Sequence, residues 1–305
     1  MAIDVSIIFV NYHTSHLICD CLKSIVENVK DVVYEIIVVD NDSEKDLDAT
    51  LSPIVPEGIR IHYVYLDKNI GFGRANNEGA KYAQGENLFF LNPDTVLLNN
   101  ALKILSDFLK SHPKAAVCGG NLTDSEDRPA HSFRKIFPGI SWDFQEFTHF
   151  IFSYPKNSRK RFFNFSSTPM RVAYISGADL MVRTNIFREC GGFADEFFMY
   201  WDDVELCRRI IEAGYYIYSV PQAHIRHLES RSFENVARKN SFKIELQEKY
   251  RCLYFKKNIG AINSVISNIF YRWFLESRIL FSSKTKKDYY KQRKEFFTIY
   301  KNPHI

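Results

Sequence analysis

Two oxygen-bearing side chains, those of Asn92 and Asp94, directly follow the apolar run Leu88–Leu91. An apolar run that does not alternate with polar residues is typical of a buried strand in a parallel sheet. Pro93 turns the chain where this strand ends. Open α/β sheets bind ligands at the carboxyl ends of their strands, and two oxygen donors this close can hold a hard cation. The alternative is an ordinary turn, since Asn, Pro and Asp all favour turns.

Another acid, Asp40, follows the apolar run Tyr34–Val39 and is expected at the same edge of the sheet as Asp94. A carboxylate there can accept a hydrogen bond from a ribose hydroxyl or a base N–H. The glycine-containing segment 69–77 allows close approach to a ligand and opens a helix whose N-terminus favours phosphate. It is not a dinucleotide fingerprint, because Asn76 replaces the third glycine, and the chain has no Walker lysine motif. Each feature alone also fits a turn or a packing role.

Two acids and two histidines lie further along the chain. Asp202 and Asp203 precede a predicted helix, where acidic side chains stabilise the first turn by capping and by the helix dipole. Asp203 could instead take a proton as a general base, whereas the cap is the favoured role for Asp202. His224 and His227 follow a predicted strand and are either ordinary surface or core histidines or metal ligands.

Strand and helix patterns alternate over about the first 120 residues, which predicts an α/β fold with a mostly parallel sheet, right-handed crossovers and flanking helices. The predicted strands are Val5–Val10, Tyr34–Val39, Ile59–Leu66, Leu88–Leu91, Ala115–Cys118, Val172–Ile175, Leu180–Val182 and Tyr216–Val220. One predicted helix begins after a cap at Thr14 or Ser15, and a second leads from the glycine-containing segment to about Ala83. A third covers about Asn99–Ser111, and a fourth carries Leu206–Ile211 inward and ends near Gly214. Residues of about 121–169 show little periodicity and predict an irregular surface excursion.

The composition is that of a folded globular protein. The chain has 305 residues, 46% hydrophobic and 25% charged, enough for one large domain with a helical appendage. A formal net charge of +4 is small for this length and gives no reason to expect a nucleic-acid partner. The six cysteines have irregular spacing without a CxxC pair, which favours reduced thiols in a cytosolic protein.

Neither a membrane span nor a secretory signal is predicted. No stretch contains 18 consecutive apolar residues. The first apolar run, Val5–Val10, is too short for a signal peptide and has no basic region before it. The catalytic part is therefore expected in the cytoplasm.

Taken together and in this order, the motifs resemble those of the inverting family 2 glycosyltransferases of GT-A fold, and most of all their rhamnosyltransferase-type branch. The resemblance covers about residues 3–233. It is carried by Val10–Tyr12, Val39–Ser43, Asn69–Gly73, Leu91–Asp94, Ser176–Ala178, Tyr200–Leu206 and His227.

This resemblance implies roles for individual residues. Asp94 would be a metal ligand of the family's DxD element, His227 its late metal-binding histidine, and Asp203 the catalytic base. The implied cation is Mg²⁺ or Mn²⁺. Residues implied to bind the donor nucleotide are Asn11, Tyr12, Asp40, Asn69, Gly71, Phe72, Asn77 and Asn92. Residues implied to line the acceptor and sugar site are Gly177, Ala178, Trp201 and Asp202.

The chain departs from the family pattern at three positions. Asn92 replaces the first acid of the DxD element, Asp202 replaces a glutamate before the base, and Ser230 replaces a glycine after the histidine. Because Asn92 is uncharged, a cation would have one fewer anionic ligand. His224 remains an alternative to His227 as the metal-binding histidine.

The resemblance implies a metal-dependent inverting transferase that moves a sugar from dTDP-rhamnose or a UDP-sugar to a glycan hydroxyl. The pathway would be synthesis of a bacterial surface polysaccharide, such as O-antigen, capsule or cell-wall glycan. The chemistry agrees, because a cation can stabilise the leaving diphosphate and one base can activate the acceptor. The alternatives are a nucleotidyltransferase, which needs a Lys- and Gly-rich loop after the first strand, and a non-catalytic nucleotide- or glycan-binding module.

The predicted domains are a GT-A domain over residues 1–233 and a helical extension over 234–305. Basic and aromatic residues alternate from Phe270 to Lys287. Such helices bind anionic membrane surfaces, which would suit a lipid-linked glycan acceptor at the inner face of the plasma membrane. The alternative is a helix packed on the domain with a solvated basic face.

Overall fold

The computed structural model describes residues 2–44, 46–151, 161–228 and 236–301. They form two compact units. Unit 1 comprises Met1–Lys135, Arg159–Phe198 and Asp202–Ser232, and unit 2 comprises Ile136–Ser158, Met199–Trp201 and Phe233–Ile305. The sequence predicts a boundary near residue 233, but it does not predict that 136–158 and 199–201 belong to the second unit.

Unit 1 contains strands and the helices that cover them. The strands are β1 (Val5–Asn11), β2 (Tyr34–Asn41), β3 (Ile61–Leu66), β4 (Asn87–Leu91), β5 (Thr95–Leu97), β6 (Ala115–Thr123), β7 (Phe133–Arg134), β8 (Met170–Val172), β9 (Tyr174–Ile175), β10 (Asp179–Arg183) and β11 (Tyr216–His227). The helices are α1 (Ser15–Asn28), α2 (Leu47–Leu51) with a 3₁₀ turn (Ser52–Ile54), α3 (Phe72–Ala80), α4 (Ala101–Ser111), α6 (Thr184–Glu189) and α7 (Asp202–Glu212). Unit 2 contains α5 (Ile140–Ile151), α8 (Val236–Asn258), α9 (Ala261–Phe281) and α10 (Lys284–Tyr300).

Within the described residues, the main sheet has nine strands in the order β3-β2-β1-β4-β10-β6-β11-β5, with β8 paired to β11. The pairs β3–β2, β2–β1 and β1–β4 are parallel, as is β6–β11. Strand β10 is antiparallel to both of its neighbours, β4 and β6. Most of the described strands therefore share one direction, and the predicted α/β sheet is confirmed as a mixed sheet. A separate small sheet pairs β7 with β9.

The central strands are buried because their side chains are apolar on both faces. Every residue of β1 and β4 is buried, and so is every residue of β2 after Tyr34. The apolar residues on one face of α1 are also buried, namely Leu17, Ile18, Cys21, Leu22 and Ile25. Each large apolar side chain buried in this way contributes about 1.5–3 kcal/mol to stability. These strands therefore hold their carboxyl ends, Asn11, Asn41 and Leu91, in fixed positions.

The predicted irregular excursion is wrong in part. Strand β6 continues to Thr123, and α5 is a regular helix within residues 121–169. Residues 152–160 of the predicted excursion lie outside those described.

The start of α1 also differs from the prediction. Thr14 directly precedes the helix, but its side chain makes no capping hydrogen bond to it. Its hydroxyl instead donates to Asn11 Oδ1 at 3.0 Å, and its backbone N–H donates to the same oxygen at 3.0 Å. Thr14 therefore holds the end of β1 rather than the first turn of α1.

Unit 2 has a polar interior built around arginines. The Arg251 guanidinium donates to Asp143 Oδ2 at 2.6 Å and lies 3.7 Å from the centre of the Tyr271 ring. Glu248 accepts hydrogen bonds from Tyr271 and Arg293, both at 2.6 Å. These buried charges are paired, as burial requires. None of the helices in the described part of the chain combines the length and apolarity needed to cross a bilayer.

Candidate active site

The first part of the site is the turn that follows β2. Asn11 and Asp40 are directly opposite in the β1–β2 register, and Asn11 Nδ2 donates to Asp40 Oδ1 at 2.7 Å. The Asp40 carboxylate also accepts the Ser43 N–H at 2.8 Å, the Ser43 hydroxyl at 2.7 Å and the Glu44 N–H at 3.1 Å. Asp40 therefore fixes the turn with its own carboxylate. Tyr12, next along from β1, is exposed at this edge.

Asn41, to which the sequence assigns no role of its own, holds the glycine-containing loop. Its Nδ2 donates to Asn69 Oδ1 at 3.0 Å, and its Oδ1 accepts the Ile70 N–H at 2.9 Å. Asn69 Oδ1 in turn accepts the Gly71 N–H at 3.0 Å. The loop is thus held in place by two amide side chains at the end of β2. An Asn two positions after the predicted strand Tyr34–Val39 was the available signal.

Gly71 is required by a close approach within the protein itself. Its φ is +92°, and a Cβ at this position would overlap the Phe198 carbonyl oxygen. The Phe72 N–H donates to the same oxygen at 2.7 Å, so it is not directed at a phosphate. Asn77 is similarly occupied, because its amide exchanges hydrogen bonds of 2.8 and 2.9 Å with the backbone of Phe193. The donor contacts expected of these residues stay predictions.

The second part of the site brings Asp94 and His227 together. His227 Nε2 lies 3.2 Å from Asp94 Oδ1 and 3.4 Å from Asn92 Nδ2. The antiparallel β5–β11 pairing places His227 opposite Thr95 and so next to Asp94. Both side chains are mostly buried, with 6% of Asp94 and 14% of His227 exposed. A carboxylate and an imidazole in contact are a suitable pair of ligands for a divalent cation.

His224 is not part of this pair. It pairs with Asn121 in the β6–β11 register, and its side chain is exposed. Three positions separate it from His227, so the two side chains lie on opposite faces of the strand. Ser230, the third departure from the family pattern, lies outside the described residues.

Asp94 and His227 would supply two ligands, whereas Mg²⁺ and Mn²⁺ take more than two. Among the described residues, no group of three or more His, Cys, Asp or Glu side chains could hold a metal. Mg²⁺ usually keeps several waters and is bound through one or two carboxylates together with substrate phosphates. A cation held by Asp94 and His227 fits that pattern.

The third part of the site is the loop of residues 176–178, which connects Asn92 to Asp203. The Asn92 N–H donates to the Ala178 carbonyl at 3.0 Å. The Gly177 N–H donates to Asp203 Oδ2 at 2.9 Å. One loop thus joins the strand end that carries Asn92 to the carboxylate of Asp203. A Cβ at Gly177 would lie 3.6 Å from that carboxylate and 3.7 Å from the Phe72 ring.

The two neighbouring acids have different surroundings. Burial raises the pKa of both Asp202 and Asp203, and the negative charge of Asp203 raises the pKa of Asp202 further. Asp203 accepts N–H hydrogen bonds from Gly177 and from Val204, which stabilise its anion. Asp202 Oδ2 is buried without a hydrogen-bond partner in the described structure. Burial and the neighbouring charge therefore favour the neutral form more strongly at Asp202 than at Asp203.

The backbone just before these acids is unusual. Tyr200 and Trp201 have φ values of +67° and +68°, although neither is glycine. Such conformations cost on the order of 1–3 kcal/mol each and are typical of functional sites. Trp201 belongs to unit 2, where its indole N–H donates to the Gln247 carbonyl at 3.1 Å and its ring lies 5.3 Å from that of Tyr254. The structure thus gives Trp201 an anchoring contact, and its predicted acceptor role stays a prediction.

Two further side chains, His131 and Arg134, lie in contact within the segment predicted to be irregular, and the sequence assigned them no role. Arg134 Nε donates to His131 Nε2 at 3.0 Å. Burial lowers the pKa of His131 to about 3, and the charges of Arg134 and His227 act in the same direction. Arg134 pairs in register with Tyr174, shortly before residues 176–178. The short β7–β9 pairing places Arg134 beside the strand that leads into residues 176–178, and so short a strand has no periodic pattern that would predict it.

Known proteins with related sequences include several rhamnosyltransferases. The model of the family described as Glycosyl transferase family 2 matches residues 6–189. The chain is 28% identical over 272 residues to Rhamnosyltransferase WbbL of Escherichia coli (strain K12), which covers 83% of this chain and 95% of that protein. It is 21% identical over 211 residues to dTDP-rhamnosyl transferase RfbF of Shigella flexneri, with coverage of 68% and 64%.

A solved structure shares the fold. The crystal structure of GalNAc-T7 with UDP, GalNAc and Mn²⁺ matches with a TM-score of 0.58 and 15% identity, and covers 90% of this chain but 56% of that chain. At this identity the likeness concerns the fold alone. The family match spans more than half of the 305 residues and includes the strand ends that carry Asn11, Asp40 and Asp94. This chain therefore belongs to glycosyltransferase family 2, and it is a glycosyltransferase of GT-A fold with rhamnosyltransferases among its relatives.

Proposed function

We propose that this glycosyltransferase moves a sugar from a nucleotide-sugar to a hydroxyl of a glycan acceptor, with inversion and with the help of a divalent cation. The single observation that carries this proposal is the loop of residues 176–178. Its backbone bonds to Asn92 on one side and to Asp203 on the other. The loop would thereby hold the strand end next to Asp94 and the proposed base Asp203 in fixed positions. Direct displacement by a hydroxyl requires a cation site and a base that are both fixed.

The cation would be held by Asp94 and His227. When bound there, Mg²⁺ or Mn²⁺ would neutralise the charge that develops on a leaving diphosphate. The contact between the two side chains, the burial of both and the mixed oxygen and nitrogen donors fit this role. GalNAc-T7, which shares the fold, was crystallised with Mn²⁺ together with UDP, and this supports a metal here.

Asp203 would accept the proton of the acceptor hydroxyl. A single base is sufficient for direct displacement with inversion, whereas a retaining reaction needs a second group to form a covalent intermediate. The two N–H donors keep Asp203 ionised, and the neutral form of Asp202 avoids a second negative charge beside it. Gly177 and Ala178 would border the acceptor, since the Gly177 N–H bonds to the Asp203 carboxylate.

The donor nucleotide would lie along the ends of β1, β2 and β4. Tyr12 and Asn92 would contact the nucleotide, with Asp40 and Asn69 near it, while Asn11 keeps the turn after β2 in position. Two relatives are rhamnosyltransferases, one of them a dTDP-rhamnosyl transferase, and they favour dTDP-rhamnose over a UDP-sugar as the donor. The acceptor would be a glycan or lipid-linked glycan of a bacterial surface polysaccharide, reached at the cytoplasmic face of the plasma membrane.

The test is release of nucleoside diphosphate from dTDP-rhamnose and from UDP- and GDP-sugars, with Mn²⁺, with Mg²⁺ and with a chelator. Turnover should require the cation and a glycan acceptor. Asp94→Ala should abolish turnover, His227→Ala should reduce it, and His224→Ala should leave it unchanged. Full activity of Asp94→Ala, or activity in excess chelator, would overturn the metal site. Binding of a nucleotide-sugar without turnover on any acceptor would instead support a non-catalytic module.

A further inference from the structure

Helix α9 of unit 2 is apolar on two opposite faces. Its inner face, with Tyr271, Phe274 and Leu275, is buried in unit 2. Its opposite face is exposed, and apolar residues recur there at spacings of three, four or seven, with exposed fractions between 45% and 77%. These residues, here called the outer stripe, are Ile262, Val265, Ile269, Trp273 and Leu280. An exposed stripe of this kind marks an interaction surface rather than a core.

An aromatic cluster widens the outer stripe on one side. The rings of Phe270 and Trp273 meet edge to face with centres 5.7 Å apart. Two residues of α5 extend the cluster, since Phe144 lies 5.4 Å from Phe270 and Phe147 lies 5.9 Å from Trp273. Phe144 is itself exposed. Aromatic side chains, and Trp above all, favour the boundary between water and lipid.

The charges around the outer stripe are strongly positive. Residues 233–305 contain 16 of the 40 Lys and Arg residues and 6 of the 36 Asp and Glu residues, a net charge of +10, whereas residues 1–232 carry −6. Exposed lysines stand at both ends of α9, with Lys256 and Lys257 before it and Lys284 and Lys286 after it. The one acid of α9, Glu276, is paired with Arg272 at 3.0 Å and with Lys294 at 3.2 Å.

We propose that the outer stripe docks on the surface of an anionic phospholipid bilayer. An apolar face with cations at both ends matches acyl chains flanked by anionic headgroups. A second copy of this chain fits less well, because antiparallel pairing of two outer stripes would bring the lysines at opposite ends of α9 together. The inference concerns unit 2 alone and does not depend on the chemistry proposed for unit 1.

The surface differs from the one that the sequence indicates. The aromatic and basic segment predicted to bind membrane is 270–287, but Tyr271, Phe274 and Leu275 within it are buried. The exposed apolar residues begin earlier, at Ile262. The structure therefore extends the predicted contact by about two helical turns toward the start of α9, with Ile269 and Trp273 near its centre.

The experiment is flotation of the full chain with vesicles of phosphatidylcholine, alone or mixed with phosphatidylglycerol, in the absence of donor and acceptor. The chain should bind the anionic vesicles and be released as salt screens the charges. The double variant Ile269→Ser, Trp273→Ser should weaken binding by about 10–100-fold, because it removes two apolar side chains from the contact. Lys286→Ala should weaken it on the order of fivefold.

Matched controls come from exposed apolar residues of unit 1. Leu98→Ser and Phe165→Ser remove exposed apolar side chains outside the outer stripe, and they should leave binding unchanged. Thermal unfolding of every variant separates a lost contact from a lost fold. Equal binding to neutral and anionic vesicles, or full binding by the Ile269→Ser, Trp273→Ser double variant, would overturn the proposal. The proposal would also be overturned if the unmodified chain bound no vesicles and sedimented as a dimer that the same double variant dissociates.

Discussion

Asp202 and Asp203 are adjacent carboxyl groups whose surroundings give them different protonation states. Asp203 has two backbone N–H donors, one from the loop of residues 176–178 and one from its own helix. Asp202 has a buried oxygen without a partner in the described structure, close to the first turn of α3, since a Cβ at Gly73 would lie 3.2 Å from it. Burial and the negative charge of Asp203 raise the pKa of Asp202, so the neutral form is favoured more strongly at Asp202 than at Asp203. The difference can be tested at each residue separately.

Asp203→Asn keeps the shape of the side chain and can still accept the Gly177 N–H, but it cannot take a proton. We expect the turnover rate to fall by about 10²–10⁴ while folding and nucleotide binding stay normal. The measurement is the rate of nucleoside diphosphate release at saturating donor. Asp202→Asn is the control and should reduce the rate less. Near-normal turnover of Asp203→Asn would leave Asp203 with only a role in starting α7.

Asp202 should also make stability depend on pH. Its pKa is raised in the folded state, so between about pH 4 and the raised value the folded chain binds more protons than the unfolded chain. The free energy of unfolding therefore falls as pH rises through this window. The asparagine of the Asp202→Asn variant cannot ionise, so the variant should not show this fall. Its free energy of unfolding relative to that of the unmodified chain should therefore increase from about pH 4 to about pH 8. Urea unfolding measures this, with the exposed Asp20→Asn as control; parallel pH profiles would contradict it.

At the scale of elements, the Asn69–Gly71 loop depends on close packing against Phe198. Gly71→Ala would add a Cβ that overlaps the Phe198 carbonyl, in addition to the cost of a positive φ. Gly58 is a matched control, because its φ of +90° is nearly the same and a Cβ there would meet no heavy atom within 4 Å. We expect Gly58→Ala to cost about 1 kcal/mol and Gly71→Ala several times more. Equal losses in urea unfolding would show that the Phe198 contact is unimportant.

The elements that the sequence predicts well are those with continuous apolar runs. Strands β1, β2 and β4 are buried on both faces, so their runs do not alternate and cannot be confused with a surface strand. Polar residues at their ends, such as Asn11, Asp40 and Asp94, were therefore predictable as neighbours at one edge. The position of His227 beside them depends on the pairing of β5 with β11. Because 135 positions separate His227 from Asn92, only the resemblance to a family indicated this contact.

Other elements could not be predicted because the deciding contacts are distant in sequence. Asn77 resembles a ligand-binding amide, yet its partner is Phe193, 116 residues away. The β7–β9 pairing involves two residues on each strand, too few for periodicity, and it places Arg134 opposite Tyr174. Asp143 of α5 is buried against Arg251, which lies 108 positions away, so the sequence around Asp143 does not indicate its partner.

On the scale of the whole molecule, the chain passes from unit 2 to unit 1 between Trp201 and Asp202. Trp201 is anchored in unit 2 by its indole N–H, and the next residue starts the helix that carries the proposed base. A segment of three residues is too short for composition or periodicity to assign it to either unit. Tyr200 and Trp201, both with positive φ, are therefore the last residues of unit 2 before the chain returns to unit 1.

Nucleotide binding should stabilise the folded chain mainly when Asp94 is present to hold a cation. A nucleoside diphosphate with Mn²⁺ at 100 times its dissociation constant should add about 2.7 kcal/mol to the free energy of unfolding, because the unfolded chain does not bind it. A chelator should remove most of this gain. Asp94→Ala should lose it as well, since the cation and the diphosphate are expected to bind together.

Asp203→Asn provides the contrast, because it should retain the full gain in stability while losing turnover. Thermal unfolding with and without nucleotide, Mn²⁺ and chelator measures these combinations for each variant. His227→Ala should show an intermediate gain, because a neutral imidazole supplies a ligand but no negative charge, and His224→Ala should behave like the unmodified chain. If Asp94→Ala kept the whole metal-dependent gain, the cation would have to bind elsewhere, and the pairing of Asp94 with His227 would be a structural contact alone.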